Sequence, residues 1–409
     1  MQVEPFRIAI PDAKLADLAR RLREVNFAPD FANDDWRYGT NGRYLRALVA
    51  HWRDRYDWRA QERAMNAWPH FRVQLEGVPI HFLHVRGRGP RPLPLVLTHG
   101  WPWTFWDFQR VLGPLSDPAA HGGDPADAFD LVVPSLPGFA FSTPLEVPGI
   151  NWWRTADLWV ALMRDVLGYE RFAAHGGDWG TLVTMQLGHK YPDALVGVHL
   201  VGAFPLPVFA GDRPWSLGDT LSQLAPGSEL RAKAVAWERR FASHVAVHQL
   251  DPQSLAFAMH DSPVGLCAWI LERRRAWSDC HGDVESRFGK DELLTTMMLY
   301  WLTDSFGSAI RFYAEAVLNP WKPERDGMPV VSAPTGLTLF EADTAPGPMD
   351  WTADYYRRVF FRRHASGGHF APAEEPAALV ADLRETFRPL RAAFQRPPQR
   401  PGSVPPSTL

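Results

Sequence analysis

Short apolar segments of strand length alternate with helical patterns through the middle of the chain. The strand candidates lie at 93–97, 130–134, 171–174, 196–201 and 336–340. The helical patterns between them include 155–167 and 181–191. Parallel neighbouring strands need a long crossover, usually a helix, so this alternation predicts an α/β fold with a mostly parallel, doubly wound sheet.

The pattern changes on both sides of this region. The first 92 residues are mainly helical, with apolar faces at 12–25, where Asp12 is a cap candidate, and at 45–56. A predicted hairpin about Gly77 starts the sheet, and after residue 202 the strand signal gives way to helical sequence rich in Trp and Phe. The predicted organisation is an N-terminal helical meander (1–92), a first core part (93–202), a helical lid (203–330), a second core part (331–395) and a disordered tail (396–409).

Composition and charge favour a globular protein that acts on small molecules. The chain has 409 residues, 46% of them hydrophobic and 22% charged, which suffices for a sizeable core. Its net charge of −3 creates no field that would gather nucleic acid or anionic membrane. We find no signal peptide, no apolar run of membrane-spanning length, and two cysteines without zinc or disulfide spacing. We therefore expect a cytoplasmic protein with a small-molecule substrate and no nucleic-acid or membrane partner, and we leave a homodimer open.

The segment Gly176-Gly177-Asp178-Trp179-Gly180 follows a predicted strand and precedes a predicted helix. This is the context of a nucleophile elbow in the α/β-hydrolase fold, where glycines allow a sharp turn that raises the central side chain into the site. That position holds Asp178, and no G-x-S-x-G motif occurs, which disfavours an ordinary esterase or lipase. A carboxylate there attacks a carbon that bears a leaving group, and water then hydrolyses the ester. The simpler interpretation is a turn alone, because Gly and Asp are common turn residues.

A hydrolase with this elbow needs a histidine far downstream and an acid between the two. His369 lies in the glycine-rich segment 366–370 after the last predicted strand, and we interpret it as the base that activates water rather than as a structural histidine. Glu341 and Asp343 follow the strand at 336–340 and compete as the acid that orients the imidazole. We favour Asp343, because an acid slightly beyond the strand end can turn inward.

The segment His99-Gly100-Trp101-Pro102 closes another predicted strand. From this position the fold donates one backbone N–H to the oxyanion hole, and the residue after the nucleophile supplies the other. The predicted donors are therefore the amides of Trp101 and Trp179. A Gly-Pro turn is compatible with this role, because the turn itself presents the amide.

With these residues placed, the chain resembles the microsomal-type epoxide hydrolase family over nearly its whole length. The resemblance implies an N-terminal meander, a hydrolase core and a lid, with Asp178 as nucleophile, His369 as base, an acid at Asp343 or Glu341, and no cofactor. The segments that carry it are Pro5-Phe6-Arg7-Ile8, Asp57-Trp58-Arg59, His81-Phe82-Leu83-His84, His99-Gly100-Trp101-Pro102, Val133-Pro134-Ser135-Leu136-Pro137-Gly138-Phe139, Gly176-Gly177-Asp178-Trp179-Gly180, Asp261-Ser262-Pro263-Val264-Gly265 and Gly367-Gly368-His369-Phe370.

The resemblance also implies lid residues that protonate the epoxide oxygen. Members use two lid tyrosines, because an alkoxide is too basic to leave unprotonated. Arg311-Phe312-Tyr313 matches the second, so Tyr313 is the predicted proton donor, and a buried tyrosine without chemistry is the alternative. Alignment on 261–265 places His244 where the first tyrosine should be, and His248 follows at the i, i+4 position.

Three interpretations of this departure follow. In the first, His244 or His248 replaces the missing tyrosine as proton donor, because an imidazole with a pKa of about 6.5 is a competent acid near neutrality. In the second, the scaffold is a redirected biosynthetic enzyme in which a nucleophile other than water opens the electrophile, with C–C coupling or cyclisation as the outcome. The third, a metal bound by both histidines, is disfavoured because no third ligand has a recognisable spacing.

The leading hypothesis is an epoxide hydrolase-like enzyme that forms a covalent ester with an apolar or aromatic substrate. A dehalogenase would share Asp178 and Trp179, but Tyr313 argues against it, and a binding module would not need Asp178 with His369. The aromatic lid sequence predicts an aromatic-lined pocket. The pocket candidates are His248, Trp237, Trp269 and Trp301, with Phe241, Phe257 and Trp277 as further lid aromatics.

Overall fold

The computed structural model describes residues 2–209 and 224–394, and one β-sheet lies at its centre. The tail predicted at 396–409 lies outside the described residues. The strands of the described chain are β1 (Glu4–Phe6), β2 (His70–Leu75), β3 (Val78–Val85), β4 (Leu93–Thr98), β5 (Phe129–Pro134), β6 (Phe172–Gly177), β7 (Leu195–Val201), β8 (Val331–Phe340) and β9 (Tyr356–His364).

The strands lie side by side in the order β1-β2-β3-β5-β4-β6-β7-β8-β9. The strands β1, β2, β3 and β5 pair antiparallel, and all pairs from β5 to β9 are parallel. The predicted mostly parallel sheet is therefore confirmed. Because the carboxyl ends of parallel strands meet at one edge, the loops after β4, β6 and β8 come together there.

Helices surround the sheet. They are α1 (Asp12–Arg23), α2 (Gly42–Asp54), α3 (Trp58–Met65), α4 (Gln109–Ser116), α5 (Trp152–Val160), α6 (Trp179–Lys190), α7 (Glu229–Ala242), α8 (Val245–Leu250), α9 (Pro252–Asp261), α10 (Pro263–Trp277), α11 (Lys290–Leu302), α12 (Phe306–Leu318), α13 (Thr352–Tyr355), α14 (Ala371–Glu374), α15 (Pro376–Phe387) and α16 (Arg391–Phe394). A π-helical segment, Ala161–Val166, continues α5.

Both faces of the sheet are covered. The helix α6 packs on β6, β7 and β8, and α5 packs on α6. On the other side α15 packs on β7, β8, β9 and α4. Neighbouring residues of β7 show the two faces, because Val198 lies against Gly188 of α6 whereas Gly197 lies against Phe387 of α15. The parallel strands β4 to β7 are buried along their whole length, as expected for strands covered on both faces.

The described part of the predicted lid, 203–209 and 224–330, contains the helices α7 to α12 and no strand. The N-terminal helices pack on it, α1 against α10 and both α2 and α3 against α11. Trp52 of α2, for example, donates its indole N–H to Sδ of Met298 at 3.3 Å. No helix in 2–209 or 224–394 is both long and apolar enough to cross a bilayer. The exact domain boundaries stay predictions.

Three local features differ from the sequence-based expectations. The edge strand β9 was not predicted, because its arginines leave no apolar run and most of its side chains are at least partly exposed. The strand β8 begins at Val331, earlier than the apolar segment at 336–340 indicates. Asp12 does not cap α1; Pro11 is the N-cap residue, and Asp12 lies in the first turn.

Candidate active site

Asp178 occupies the sharp turn between β6 and α6. Its backbone has φ 55° and ψ −124°, a sparsely populated conformation that costs energy in a residue with a side chain. The surrounding packing requires glycine, because a Cβ atom at Gly176 would lie 1.9 Å from the carbonyl oxygen of Gly180, and one at Gly180 would lie 2.0 Å from that of Thr98. The strained elbow that the sequence predicts is thus present, with a carboxylate at its apex.

One oxygen of this carboxylate is held by the backbone. The amide of Trp101 donates to Oδ1 of Asp178 at 2.8 Å. A Cβ atom at Gly100 would lie 2.2 Å from the same oxygen, so only glycine allows this approach. Trp179, the predicted second donor, is the first residue of α6, and its amide role stays a prediction.

His99 holds the turn that presents the Trp101 amide. Its Nδ1 lies 2.9 Å from the carbonyl oxygen of Gly100, and its Nε2 lies 3.0 Å from the amide nitrogen of Leu136. The proton is therefore on Nδ1, and Nε2 accepts. Burial lowers the pKa of His99 to about 4, and the hydrogen bond to the Gly100 carbonyl opposes this only partly. The imidazole is therefore neutral, and it orients the turn without adding a charge to the site.

The imidazole of His369 bridges two carboxylates. Its Nδ1 lies 2.9 Å from Oδ1 of Asp343, and its Nε2 lies 3.3 Å from Oδ2 of Asp178. The other acid candidate, Glu341, is exposed and forms an ion pair with Arg363. The geometry therefore favours Asp343 over Glu341 as the orienting acid.

The charge state of His369 follows from its neighbours. Burial is the largest single influence and opposes protonation, but the carboxylates of Asp343 and Asp178 outweigh it and raise the pKa of His369 to about 10. At neutral pH an imidazolium therefore lies between two carboxylates.

Tyr313 and His244 form a second polar group, on the lid. Nε2 of His244 lies 2.9 Å from the hydroxyl of Tyr313, and both side chains are buried. Burial, reinforced by Asp178, raises the pKa of Tyr313 well above its ordinary value, so the phenol keeps its proton. Burial also lowers the pKa of His244 well below its ordinary value, with His248 and Arg273 adding to the effect. This direction favours a neutral His244 near neutrality, so its predicted role as a protonated donor stays a prediction that burial disfavours.

Two family models match the chain. That of the epoxide hydrolase N terminus matches residues 3–108, and that of the alpha/beta hydrolase fold matches residues 94–319. A Stigmatella aurantiaca protein provisionally named an epoxide hydrolase is 39% identical over 95% of this chain and 86% of its own length. Epoxide hydrolase 1 of Sus scrofa is 32% identical over 94% of this chain and 88% of its own length. The chain belongs to the epoxide hydrolase family.

Solved structures agree with this assignment. The epoxide hydrolase of Aspergillus niger matches with a TM-score of 0.79 and 30% identity, over 95% of this chain and 97% of that one. The juvenile hormone epoxide hydrolase of Bombyx mori matches with a TM-score of 0.79 at 24% identity, over 96% and 95% of the two chains, which supports the fold. The predicted family, the α/β-hydrolase fold and an epoxide hydrolase-like enzyme are thus confirmed.

The described residues form a small cavity of about 80 Å³ beside Asp178. Trp237 lines it, as the sequence predicts. Leu182 was missed, although its place one turn after the nucleophile in α6 could have revealed it. The full lining is Asp178, Trp179, Leu182, Phe204, Val208, Phe209, Trp237, Phe241, His244, Val245, Trp277, Tyr313, Asp343 and His369.

Three predicted pocket residues do not line this cavity. His248 lies behind it, with ring centroids 4.9 Å from Tyr313 and 4.6 Å from Trp101, and it accepts a hydrogen bond from the indole N–H of Trp269 at 3.2 Å. Trp301 lines a separate groove of about 480 Å³. The helix that carries Trp301, α11, is buried on nearly all sides, so its sequence does not indicate which face meets the substrate. In the described ranges no group of three or more His, Cys, Asp or Glu side chains could hold a metal ion.

Proposed function

We propose that this enzyme hydrolyses an epoxide of an apolar or aromatic substrate through a covalent ester on Asp178. One observation carries the proposal: the two oxygens of this carboxylate have different environments. Oδ1 accepts the Trp101 amide at 2.8 Å, and Oδ2 lies 3.3 Å from Nε2 of His369. Oδ1 is therefore placed to receive the negative charge of a tetrahedral intermediate, and Oδ2 is the oxygen that attacks carbon. The apolar and aromatic side chains in the cavity lining support the substrate class.

In the first step, Oδ2 of Asp178 attacks an epoxide carbon, the carbon–oxygen bond of the ring breaks, and the released oxygen takes the proton of Tyr313. Tyr313 lines the same cavity as Asp178, which supports this assignment. The neutral His244, 2.9 Å away, donates its Nε2–H to the phenolate that results. The step leaves an ester on Asp178 and a phenolate on Tyr313.

Ester formation lowers the pKa of His369, the proposed base. The Asp178 carboxylate is one of the two charges that raise the pKa of His369, and an ester carries no charge. The pKa of His369 therefore falls when the ester forms, and the imidazolium loses its proton, which restores the phenol of Tyr313. The free imidazole is then able to act as a base for the second step.

In the second step, water attacks Cγ of the ester and gives one proton to Nε2 of His369. Negative charge develops on Oδ1, where the Trp101 amide already donates. Collapse of the intermediate breaks the ester bond and releases the diol, which carries the second water proton. The Asp178 carboxylate and the protonated His369 are thereby restored.

The alternative is the redirected enzyme that uses an organic nucleophile in place of water. The Tyr313–His244 pair favours hydrolysis, because it supplies a proton donor in the same cavity as Asp178, so the missing tyrosine does not by itself require another reaction.

Mass spectrometry of the intact protein tests the covalent step. In His369→Gln the base is absent, so incubation with aryl and polycyclic epoxides should leave one substrate mass on the protein. The double variant Asp178→Asn, His369→Gln is the matched control and should gain no mass. Wild type should release the diol and retain no adduct once the epoxide is consumed.

The outcomes separate the two functions. An adduct on His369→Gln together with diol release by wild type supports hydrolysis. An adduct on both His369→Gln and wild type, without diol, would support the organic nucleophile. The absence of an adduct on His369→Gln, despite measured binding of the same epoxides, would contradict covalent catalysis by Asp178.

A further inference from the structure

Trp237 lies at the junction of the lid and the loop that carries the acid. It belongs to α7, and its half-buried side chain lines the cavity. Its indole Nε1–H donates to the backbone carbonyl oxygen of Asp343 at 3.1 Å. The side chain of Asp343 in turn holds Nδ1 of His369 at 2.9 Å. A lid residue is thus connected to the imidazole through a single intervening residue.

The loop of Asp343 is held at its start by β8 and from the lid by Trp237. It follows β8, and its residues 342–347 are only partly buried. The amides of Asp343 and Thr344 both donate to the carbonyl oxygen of Phe340 at 3.0 Å, and the hydroxyl of Thr344 donates to it at 2.7 Å. The Trp237 hydrogen bond adds a contact from the lid to the carbonyl oxygen of Asp343 itself.

We propose that Trp237 is a positioning residue that acts through Asp343, holding this carboxylate against the imidazole of His369. This role rests on the proposed function in so far as His369 is the base. The effect of Trp237 on the contact between Asp343 and His369 can be measured in the protein without substrate.

The charged groups near the imidazole determine what loss of this contact would change. The carboxylates of Asp343 and Asp178 face His369 from the β8 and β6 loops, and the neutral His244 faces it from the lid. Asp343 in turn raises the pKa of Arg240 and of Glu374 through its negative charge, although burial lowers that of Arg240 overall. Asp343 is the largest influence that raises the pKa of His369, so its displacement should lower that pKa.

The test is Trp237→Phe, which removes the N–H and keeps an aromatic ring in the cavity wall. The pKa of His369 is measured by NMR titration of the substrate-free protein with labelled histidine, assigned with His369→Gln. We expect the pKa of His369 to fall by about one pH unit in this variant. Hydrolysis of the ester should slow by about tenfold at pH 7 with little change in KM, because the imidazole loses its orientation.

Trp321→Phe is the matched control. The indole of Trp321 also donates one hydrogen bond from a half-buried position, to Oε1 of Gln186 at 2.9 Å, but Trp321 does not line the cavity. It should leave the pKa of His369 unchanged. An equal fall in both variants would assign the effect to general loosening and overturn the proposal.

A second pair of variants tests whether Trp237 acts through Asp343 even if Trp237→Phe perturbs the lid. In the background of Asp343→Asn, the added Trp237→Phe should not lower the pKa of His369 further. A further fall of the same size would show that Trp237 acts by another route. A Trp237→Phe variant that changes KM alone, with the pKa of His369 unmoved, would make Trp237 a wall of the pocket only. Because the titration needs no epoxide, these outcomes are distinct from failure of the hydrolase proposal.

Discussion

The cavity has a floor, formed by Asp178, Asp343 and His369 at the edge of the sheet, and a lid, formed by the described part of 203–330. Each side contributes one buried imidazole, and the pKa values of the two imidazoles are shifted in opposite directions. On the floor, two carboxylates raise the pKa of His369 to about 10 against the effect of burial. On the lid, burial lowers the pKa of His244 well below its ordinary value, since its polar neighbour is the phenol of Tyr313. Trp277 lies between them, with its ring centroid 5.0 Å from each imidazole. Burial alone therefore does not determine the charge of a histidine here; a carboxylate partner does.

This difference assigns the two sides to the two halves of the proposed reaction. In that proposal, the floor holds the charged groups that form and hydrolyse the ester. The lid holds the neutral donors, whose hydrogen bonds strengthen only when negative charge develops on the ring oxygen. The predictions below alter one side at a time.

The largest expected effect comes from the lid phenol. Tyr313→Phe should lower the rate of ester formation by roughly 10³-fold, because general acids contribute about 10²–10⁴-fold. Hydrolysis of the ester, which depends on the floor, should change little. Single-turnover kinetics in the His369→Gln background measure ester formation alone. An unchanged rate would make Tyr313 a buried tyrosine without chemistry, which was the alternative from the sequence.

The next effect is on stability and tests whether His369 is protonated in the folded protein. The pKa of His369 is about 10 in the folded protein and about 6.5 for an unfolded histidine, so the folded state binds the extra proton between these values. The resulting stabilisation is fully present below about pH 6.5 and is lost as the pH rises towards 10. We expect the loss between pH 6 and pH 9.5 to be on the order of 3 kcal/mol.

Urea unfolding of wild type and His369→Gln at both pH values measures it. The difference between their free energies of unfolding should shrink at pH 9.5, and effects of titrating groups remote from His369 cancel in that difference. A difference that is the same at both pH values would mean that His369 resembles His244, and the contrast between floor and lid would fail.

The same contrast explains which site residues could be predicted from sequence. Asp178 and His369 are preceded by glycines at fixed points of a strand-to-loop pattern, and Asp343 follows a strand end, so their places follow from local chain geometry. The lid has no such pattern. Helices buried on most sides, such as α10 and α11, lack a polar face, so the sequence could not show that Trp269 and Trp301 lie outside the cavity.

The charge states of the lid histidines also could not be predicted from the sequence. The ordinary imidazole pKa makes His244 or His248 a candidate acid, whereas the burial of both becomes evident only when the lid packs against Trp101 and Tyr313. The wall formed by Phe204, Val208 and Phe209 comes from a loop after β7 and has no periodicity to indicate its role. Each of these properties depends on contacts between segments distant in the chain.

The smallest effect should come from His244, and it separates hydrogen bonding from proton donation. If His244 donates its Nε2–H to Tyr313, then His244→Phe removes one hydrogen bond to a developing phenolate and should slow ester formation by about tenfold. His244→Gln offers an amide N–H in a side chain of similar reach and should recover most of that rate. If His244 were itself the charged acid, both variants would be equally impaired, and wild-type ester formation would decline as the pH rises through about 6.5. Because this imidazole stays neutral, we expect no such decline, and a pH profile of single-turnover ester formation in His369→Gln decides between the two.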